Sequence, residues 1–350
     1  MKKREKKLKV FQGLINYGSQ AWLFAKNLRE RNIISLSVSY PDYLKRHCDI
    51  ELLYGGNFFQ KMLKHLWNWI RRFYWFFRFN TFHFYYGSSL FPRQWDLPCY
   101  KLLGKKVIMH YLGNDVQGYR ETVEKYKWSN MQGFMGNDDP VEYDRKISAR
   151  LAFESRYADL QIVGGPYLSE FVKNSIVIPL AIDIAEYDYA EPPDNKTLIA
   201  LHAPTHRGFK GTEYIMAAVE KLNSEGYSLI MNLVENSPHS RMKEEHVKAD
   251  FFIDQLMAGW YGAASLEAMA LGRPVICSLR KSYFEHVDYG SKIPIIHADP
   301  DCVYESIKYL IENREKLREI GKACRKFVEE VHDVRNLTDT ILEYYKKIWI

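Results

Sequence analysis

Apolar positions along the chain fall into short runs separated by stretches of helical period. Leu8–Asn16 (LKVFQGLIN) has the length and character of a buried strand. The turn Tyr17-Gly18-Ser19 follows, and an amphipathic helix is predicted from about Ala21 to Arg31. Ile33–Tyr40 (IISLSVSY) reads as a second strand, closed by Pro41. A strand–helix–strand unit predicts parallel pairing. Further strands are predicted at Thr81–Tyr86, Lys106–Tyr111, Asp159–Val163 and Ser175–Pro179, with helical stretches between them. Ala185–Lys196 (AEYDYAEPPDNK) is polar, carries two adjacent prolines and has no apolar period, so it reads as a linker. The pattern then restarts with Leu198–His202 (strand), Thr212–Glu225 (helix), Ser228–Val234 and Asp250–Ile253 (strands), Ala263–Leu271 (a helix stopped by Gly272) and Pro274–Ser278 (strand).

Two successive α/β units without tandem repetition predict two doubly wound, Rossmann-like domains facing a cleft, with ligands beyond the carboxyl ends of the strands. The expected division is residues 1–184, a linker at 185–196, a second domain at 197–330, and a helix at 331–350 returning to the first domain. A length of 350 residues agrees with two domains. The net charge of +6 is a modest excess, compatible with an anionic ligand or surface. Cys48, Cys99, Cys277, Cys302 and Cys324 are odd in number and show no metal-ligand spacing, so they are expected to be reduced. The start, MKKREKKLKV, is basic but lacks the apolar stretch of a signal peptide, and no run reaches the ~18–20 residues of a membrane span. A cytoplasmic protein is expected.

Candidate chemistry concentrates in the second half. His202–Thr212 (HAPTHRGFKGT) follows a strand and opens a helix, and its Arg207 and Lys210 suit a diphosphate clamp as well as a solvated basic loop. In Gly259–Val275 (GWYGAASLEAMALGRPV), Gly262, Ala263 and Ala264 begin a helix whose free amides can face phosphate. Glu267 stands about 1.5 turns further on, where a carboxylate can accept both hydroxyls of a ribose; an ordinary helix with a solvated glutamate fits the same residues. Asp299-Pro300-Asp301 reads as a turn and helix start rather than a metal-binding Asp-x-Asp. Gly13 and Gly18 do not make a dinucleotide fingerprint.

These segments together resemble the retaining GT-B glycosyltransferases of glycosyltransferase family 4. LEAMALGRPV at Leu266–Val275 is similar to the second half of the family's Glu-x7-Glu motif region, Arg207, Lys210 and Gly211 to its Arg…Lys-Gly loop, and IPLAID at Ile178–Asp183 to its hinge. Glu154–Gly164 (ESRYADLQIVG) is similar to the segment leading into the last first-domain strand, and His110, Gly113 and Asp115 match a His-x-x-Gly-x-Asp stretch. The resemblance implies a GT-B fold, a nucleotide-diphosphate sugar as donor, no metal or other cofactor, and a polysaccharide or lipid-linked acceptor at the inner face of the membrane. It also implies that His110 faces the donor, that Asp115 aligns or deprotonates the acceptor, and that Gly18 and Ser19 approach phosphates and acceptor. One position departs: eight residues before Glu267 stands Gly259, where the family carries its first glutamate, and Asp254 and Gln255 are the nearby candidates to replace it. A degenerate GT-B partner subunit and a sugar-nucleotide epimerase are the alternative readings.

Phe58–Phe79 (FFQKMLKHLWNWIRRFYWFFRF) contains no acid, glycine or proline. Lys61, Lys64, His65, Asn68, Arg71 and Arg72 share one arc of a helix; Met62, Leu66, Trp69, Ile70, Phe73 and Phe77 face away, with Trp67 and Tyr74 at the edge. The composition suits a helix lying on an anionic membrane, through Lys61, Lys64, Trp67, Trp69, Arg71 and Arg72. It equally suits a helix packed on a sheet by its aromatic face, with the basic face solvated. No nucleic-acid motif accompanies it.

Overall fold

A computed structural model describes residues 7–42, 46–133, 139–193, 195–235, 237 and 239–350. The basic residues Lys2, Lys3, Arg4 and Lys6, and Asp194 of the linker, lie outside the described residues. The first half runs β1 (Lys9–Leu14), α1 (Gln20–Glu30), β2 (Ile34–Ser39), β3 (Ile50–Glu51), α2 (Phe58–Arg78), β4 (Thr81–Tyr85), α3 (Leu97–Leu102), β5 (Lys106–Tyr111), α4 (Tyr119–Lys125), α5 (Pro140–Tyr157), β6 (Leu160–Val163) and β7 (Ile176–Val177). Its seven strands pair in parallel in the order β3-β2-β1-β4-β5-β6-β7. The second half runs β8 (Leu198–His202), α6 (Arg207–Lys210), α7 (Thr212–Ser224), β9 (Leu229–Leu233), α8 (His239–Lys248), β10 (Phe251–Ile253), α9 (Ala263–Ala270), β11 (Val275–Cys277), β12 (Ile296–His297), α10 (Val303–Glu312), α11 (Leu317–Val331) and α12 (Val334–Lys347). Its five parallel strands are ordered β12-β11-β10-β8-β9. Both sheets are doubly wound, and the runs of Val, Ile, Leu and Phe in their strands reflect burial on both faces.

The chain crosses between the halves twice, side by side. The Ile182 N–H donates to the His332 carbonyl (2.9 Å) and the Val334 N–H to the Ile182 carbonyl (3.0 Å). After the return, α12 packs against α1. Arg31 pairs with Asp339 (2.5 and 2.8 Å), and the Trp349 indole donates to Thr81 (3.0 Å). The linker is pinned by Arg273, fully buried, whose guanidinium donates to the carbonyls of Ala190 and Glu191 (2.5 and 2.9 Å).

The two faces of the first sheet differ. Phe11, Phe82, Phe84, Val107 and Met109 point to one side, where Trp75, Phe76 and Tyr100 cover them in a dry aromatic layer. Gln12, His83, Tyr85 and His110 lie on the other, against α1 and α12. There Tyr85 donates to Gln12 (2.7 Å), the Tyr345 hydroxyl meets His83 Nδ1 (2.5 Å), and His83 Nε2 meets His110 Nδ1 (3.1 Å).

Helix α2 sits opposite to the orientation expected of a sheet-covering helix. Its polar arc faces the protein: Asn68 and Arg72 are buried, and Lys64 and Arg71 are half-buried. Asn68 exchanges two hydrogen bonds with the Leu53 backbone (3.2 and 2.8 Å), Lys64 donates to the carbonyls of Tyr54 and Gly55 (3.0 Å each), and Arg72 donates to Tyr40 (2.9 Å). What lies under this part of the helix is a loop rather than an apolar sheet face, and its backbone groups need partners. Trp75 and Phe76 enter the aromatic core, and Trp69 and Phe73 pack on its edge against Phe91 (ring centroids 5.3 and 4.9 Å). Phe58, Phe59, Met62, Leu66, Trp67, Ile70, Tyr74 and Phe77 are exposed, Phe58 by 85% and Phe77 by 71%. Among the described residues no helix is long and apolar enough to cross a membrane.

Candidate functional site

A cleft of about 400 Å³ separates the carboxyl ends of the two sheets. On the first-domain side its wall includes the β1–α1 turn. Gly18 and Ser19 both take left-handed backbone angles there (φ 53° and 60°), which turns the chain sharply into α1. Opposite stands the start of α9: a β-carbon on Gly18 would lie 3.6 Å from that of Ala263, an ordinary contact. Gly262, Ala263 and Ala264 line the cleft, and no side chain caps this helix. Its first amides therefore give the wall partial positive charge. Glu267 is half-buried and borders both the cleft and a smaller cavity of about 40 Å³ against Ile182, Asp183 and Tyr187.

Lys210 also lines the cleft, but it is tied down. Its ammonium donates to Asp254 (2.5 Å) and Gln255 (3.0 Å), and Asp254 accepts a further hydrogen bond from Ser265 (2.5 Å). Burial disfavours charge on both partners, yet their mutual attraction wins: Lys210 is held above its ordinary pKa and Asp254 below. Gln255 lines the cleft and donates to the Trp260 carbonyl (2.5 Å). Asp254 is 1% exposed and both its carboxylate oxygens are engaged, one by Lys210 and one by Ser265, so its role is to hold Lys210 rather than to touch a ligand.

Two sequence expectations need correction. Arg207 is not part of the cleft wall; its side chain is 46% exposed and pairs with Glu235 (3.0 Å) and Glu213 (2.8 Å) on the outer surface. The four-residue helix α6 points Lys210 inward and Arg207 out. His110 does not face the cleft either. It is 1% exposed, its Nδ1 pairs with His83, and burial lowers its pKa to about 3, so it is neutral. Its Nε2 has no hydrogen-bond partner among the described residues.

Asp115 lies in the loop after β5, 5% exposed, between the lining residues Asn114 and Gln117. One carboxylate oxygen accepts from the N–H groups of Leu112 (3.2 Å) and Gly113 (2.8 Å); the other has no partner among the described residues. Burial pushes this carboxyl up to about 7, against the attraction of Arg150 and those two N–H groups. Around it stand Tyr17, Tyr86 and Tyr167 of the cleft wall, with Tyr17 and Tyr86 stacked at 5.8 Å and 16°. No local pattern in the sequence marks Tyr86, Tyr167, Asn114, Gln117 or Asn130 as cleft residues. Of these, Asn114 falls inside the His-x-x-Gly-x-Asp stretch.

Gly259 has a physical explanation. Its φ is +75°, and a β-carbon there would lie 2.4 Å from Arg280 Nη1. The Arg280 guanidinium donates to the carbonyls of Ala258 (2.9 Å), Met257 (3.2 Å) and Trp128 (2.7 Å) and stacks 3.8 Å over Tyr126. Thus the space of a side chain at 259 is filled by an arginine that binds the first domain. The same first-domain segment is held by Tyr126–Tyr283 (2.7 Å), by Asn130 N–H to Met257 carbonyl (3.1 Å), and by Asp301, which accepts from Lys127 (2.7 Å) and the Trp128 indole (2.8 Å).

Outside the cleft, His297, Asp299 and Cys302 bring ligand-type atoms within 4.8 Å of one another. The Leu279 N–H donates to His297 Nδ1 (3.1 Å), so the neutral ring carries its hydrogen on Nε2, the nitrogen that faces Asp299. That tautomer has no lone pair left for a metal.

No family model matches the chain, and no curated protein does. Solved structures do. Sucrose-phosphate synthase from Thermosynechococcus elongatus is 15% identical with a TM-score of 0.63, covering 99% of this chain and 96% of its own. HepE from Anabaena, solved in complex with UDP-glucose, is 11% identical with a TM-score of 0.63, covering 97% and 99%. WaaG, a glycosyltransferase involved in lipopolysaccharide biosynthesis, is 11% identical with a TM-score of 0.56, covering 95% and 97%. The fold is GT-B. At these identities the likeness extends to the fold and no further.

Two outcomes follow from this geometry. Gly259→Glu should not install a usable carboxylate; it should destabilise the protein by at least about 1–2 kcal/mol for the left-handed backbone alone, read by urea denaturation. For Asp115, whose folded pKa is raised, the stabilising contribution is complete below about pH 4 and is lost as pH climbs to about 7. The stability of the wild type relative to Asp115→Asn should therefore fall across that window and level off above it.

Proposed function

We propose that the protein is a glycosyltransferase. It moves a sugar, with retention, from a nucleotide-diphosphate donor to a glycan or lipid-linked acceptor at the cytoplasmic face of the membrane. One observation carries this reading: the uncapped start of α9 and Glu267 face the Gly18–Ser19 turn across a GT-B cleft. Glu267 accepts the two ribose hydroxyls. The amides at Gly262–Ala264 and the Lys210 ammonium stabilise the charge that gathers on the departing diphosphate. The acceptor oxygen bonds to the anomeric carbon as the bond from that carbon to the diphosphate breaks. The diphosphate leaves with the electron pair and takes up the acceptor proton, while Asp115 aligns the acceptor hydroxyl. This scheme uses the helix amides and Lys210 on the diphosphate and calls on no divalent metal. Among solved proteins of this fold, HepE binds UDP-glucose and WaaG acts in lipopolysaccharide biosynthesis.

If Glu267 holds the ribose, Glu267→Gln should weaken nucleoside diphosphate binding by about 1.5–3 kcal/mol, roughly 10- to 150-fold, with the fold intact. Titration calorimetry reads this directly, and unchanged affinity would remove the assignment. Transfer of label to an acceptor, rather than interconversion of free sugar nucleotides, separates the transferase from an epimerase; absence of any turnover leaves the non-catalytic partner subunit.

The outward apolar face of α2, with Lys61 and Arg78 exposed beside it and no acid along the helix, is the surface proposed to meet an anionic leaflet. Aromatic insertion supplies the apolar part, and each basic residue near the surface adds about 1 kcal/mol. Arg72 is too buried to take part. Binding to anionic liposomes should exceed binding to neutral ones and weaken with salt. The double change Trp67→Ser with Phe77→Ser should abolish it without lowering thermal stability. Indifference of the wild type to anionic liposomes at low salt would point to a water-soluble acceptor.

A further inference from the structure

Among the described residues that line the cleft Glu267 is the only acid, with Asp115 5% exposed beside the lining Gly113 and Asn114, and a side chain at Gly259 would be strained at φ +75° and would meet Arg280. We propose that Asn130 and Gln117, both from the first domain, recognise the hydroxyls of the transferred sugar. The proposal rests on the glycosyltransferase reading above.

The two amides are built into the wall rather than scattered on a surface. Asn130 is 1% exposed and Gln117 2%, and both line the cleft. The Asn130 Nδ2 donates to Gln117 Oε1 (2.9 Å). Asn130 Oδ1 is buried and has no partner, and Gln117 Nε2 makes no hydrogen bond among the described residues. Turning both amides over would reverse the donor and acceptor between them and still leave one polar atom of each open. A buried polar atom without a partner is unfavourable, and a ligand in the cleft relieves this for Asn130 Oδ1.

Their position connects them to Gly259. The Asn130 N–H donates to the Met257 carbonyl, two residues before it, and the Arg280 guanidinium that fills the Gly259 side-chain space also binds the Trp128 carbonyl. The arginine that excludes a carboxylate from the second domain therefore draws residues 128–130 of the first domain to the same place. The pair offers one acceptor and one donor and carries no charge, which matches neighbouring neutral hydroxyls of a hexopyranosyl group rather than a uronate or an amino sugar with a free ammonium. Because the pair comes from the other domain, it reads the sugar only while the two domains are held together.

The test is titration calorimetry with UDP, UDP-glucose, UDP-N-acetylglucosamine, GDP and GDP-mannose on the full chain, for the wild type, Asn130→Ala, Gln117→Ala and Glu267→Gln. The wild type should bind one sugar nucleotide more tightly than its parent diphosphate. Each amide variant should lose about tenfold in affinity for that sugar nucleotide and less than twofold for the diphosphate; Glu267→Gln should lose both. Thermal melts identify a variant that has not folded, in which case the other amide variant decides. Amide variants that keep the sugar preference, or that lose diphosphate and sugar nucleotide equally, overturn the proposal while the functional reading stands. A wild type without any sugar preference also overturns it. A wild type that binds no member of the panel overturns the functional reading and this inference with it.

Discussion

The second-domain wall of the cleft depends on one buried ion pair. Lys210 ends α6, Asp254 follows β10, and Ser265 sits in the first turn of α9; the Lys210–Asp254 contact and its two flanking hydrogen bonds hold all three segments at fixed distances. Removing one partner from such a pair leaves an uncompensated charge and costs about 3–5 kcal/mol. The start of α9 can face the Gly18–Ser19 turn because this pair fixes it against the strand ends. The same pair limits what Lys210 does: its charge is balanced before any ligand arrives, so the net positive potential of this wall owes more to helix amides than the sequence suggests.

Much of the architecture was legible from the apolar runs. The central strands of both sheets, the helix that ends at Gly272 and the polar stretch before β8 all coincide with clear local patterns, because strands buried on both faces have few alternatives. The two-residue strand β3 carries no such signal. In the site, Lys210, Gly262 and Glu267 were readable because a helix start leaves a local signature. His110 was misplaced for a definite reason: position at a strand end says nothing about which face the side chain takes, and in β5 it takes the face covered by α1 and α12. Arg207 and Lys210 are three residues apart on a single turn, too short a helix for period to separate inside from outside. Asn130 and Gln117 had no signature because their placement depends on contacts across the domain boundary.

Helix α2 shows the same limit from another side. Its amphipathic pattern is strong, and its basic arc would ordinarily mark the solvated face. Here the arc serves loop carbonyls at 53–55, and the aromatic face is left outward. Periodicity identifies that a helix has two faces; it does not say what each face meets.

The return of the chain at His332 has a consequence for synthesis. Tyr345 and Trp349 complete the polar face of the first sheet, next to His83 and Thr81, although the whole second domain separates them in the chain. On a ribosome, the amino-terminal domain therefore emerges with one sheet face covered by α1 alone and its α12 side open. It waits in that state until residues 334–349 have been made, so the usual order in which domains mature as they are translated is broken. The second domain, contiguous from β8 to α11, is the part able to finish folding first.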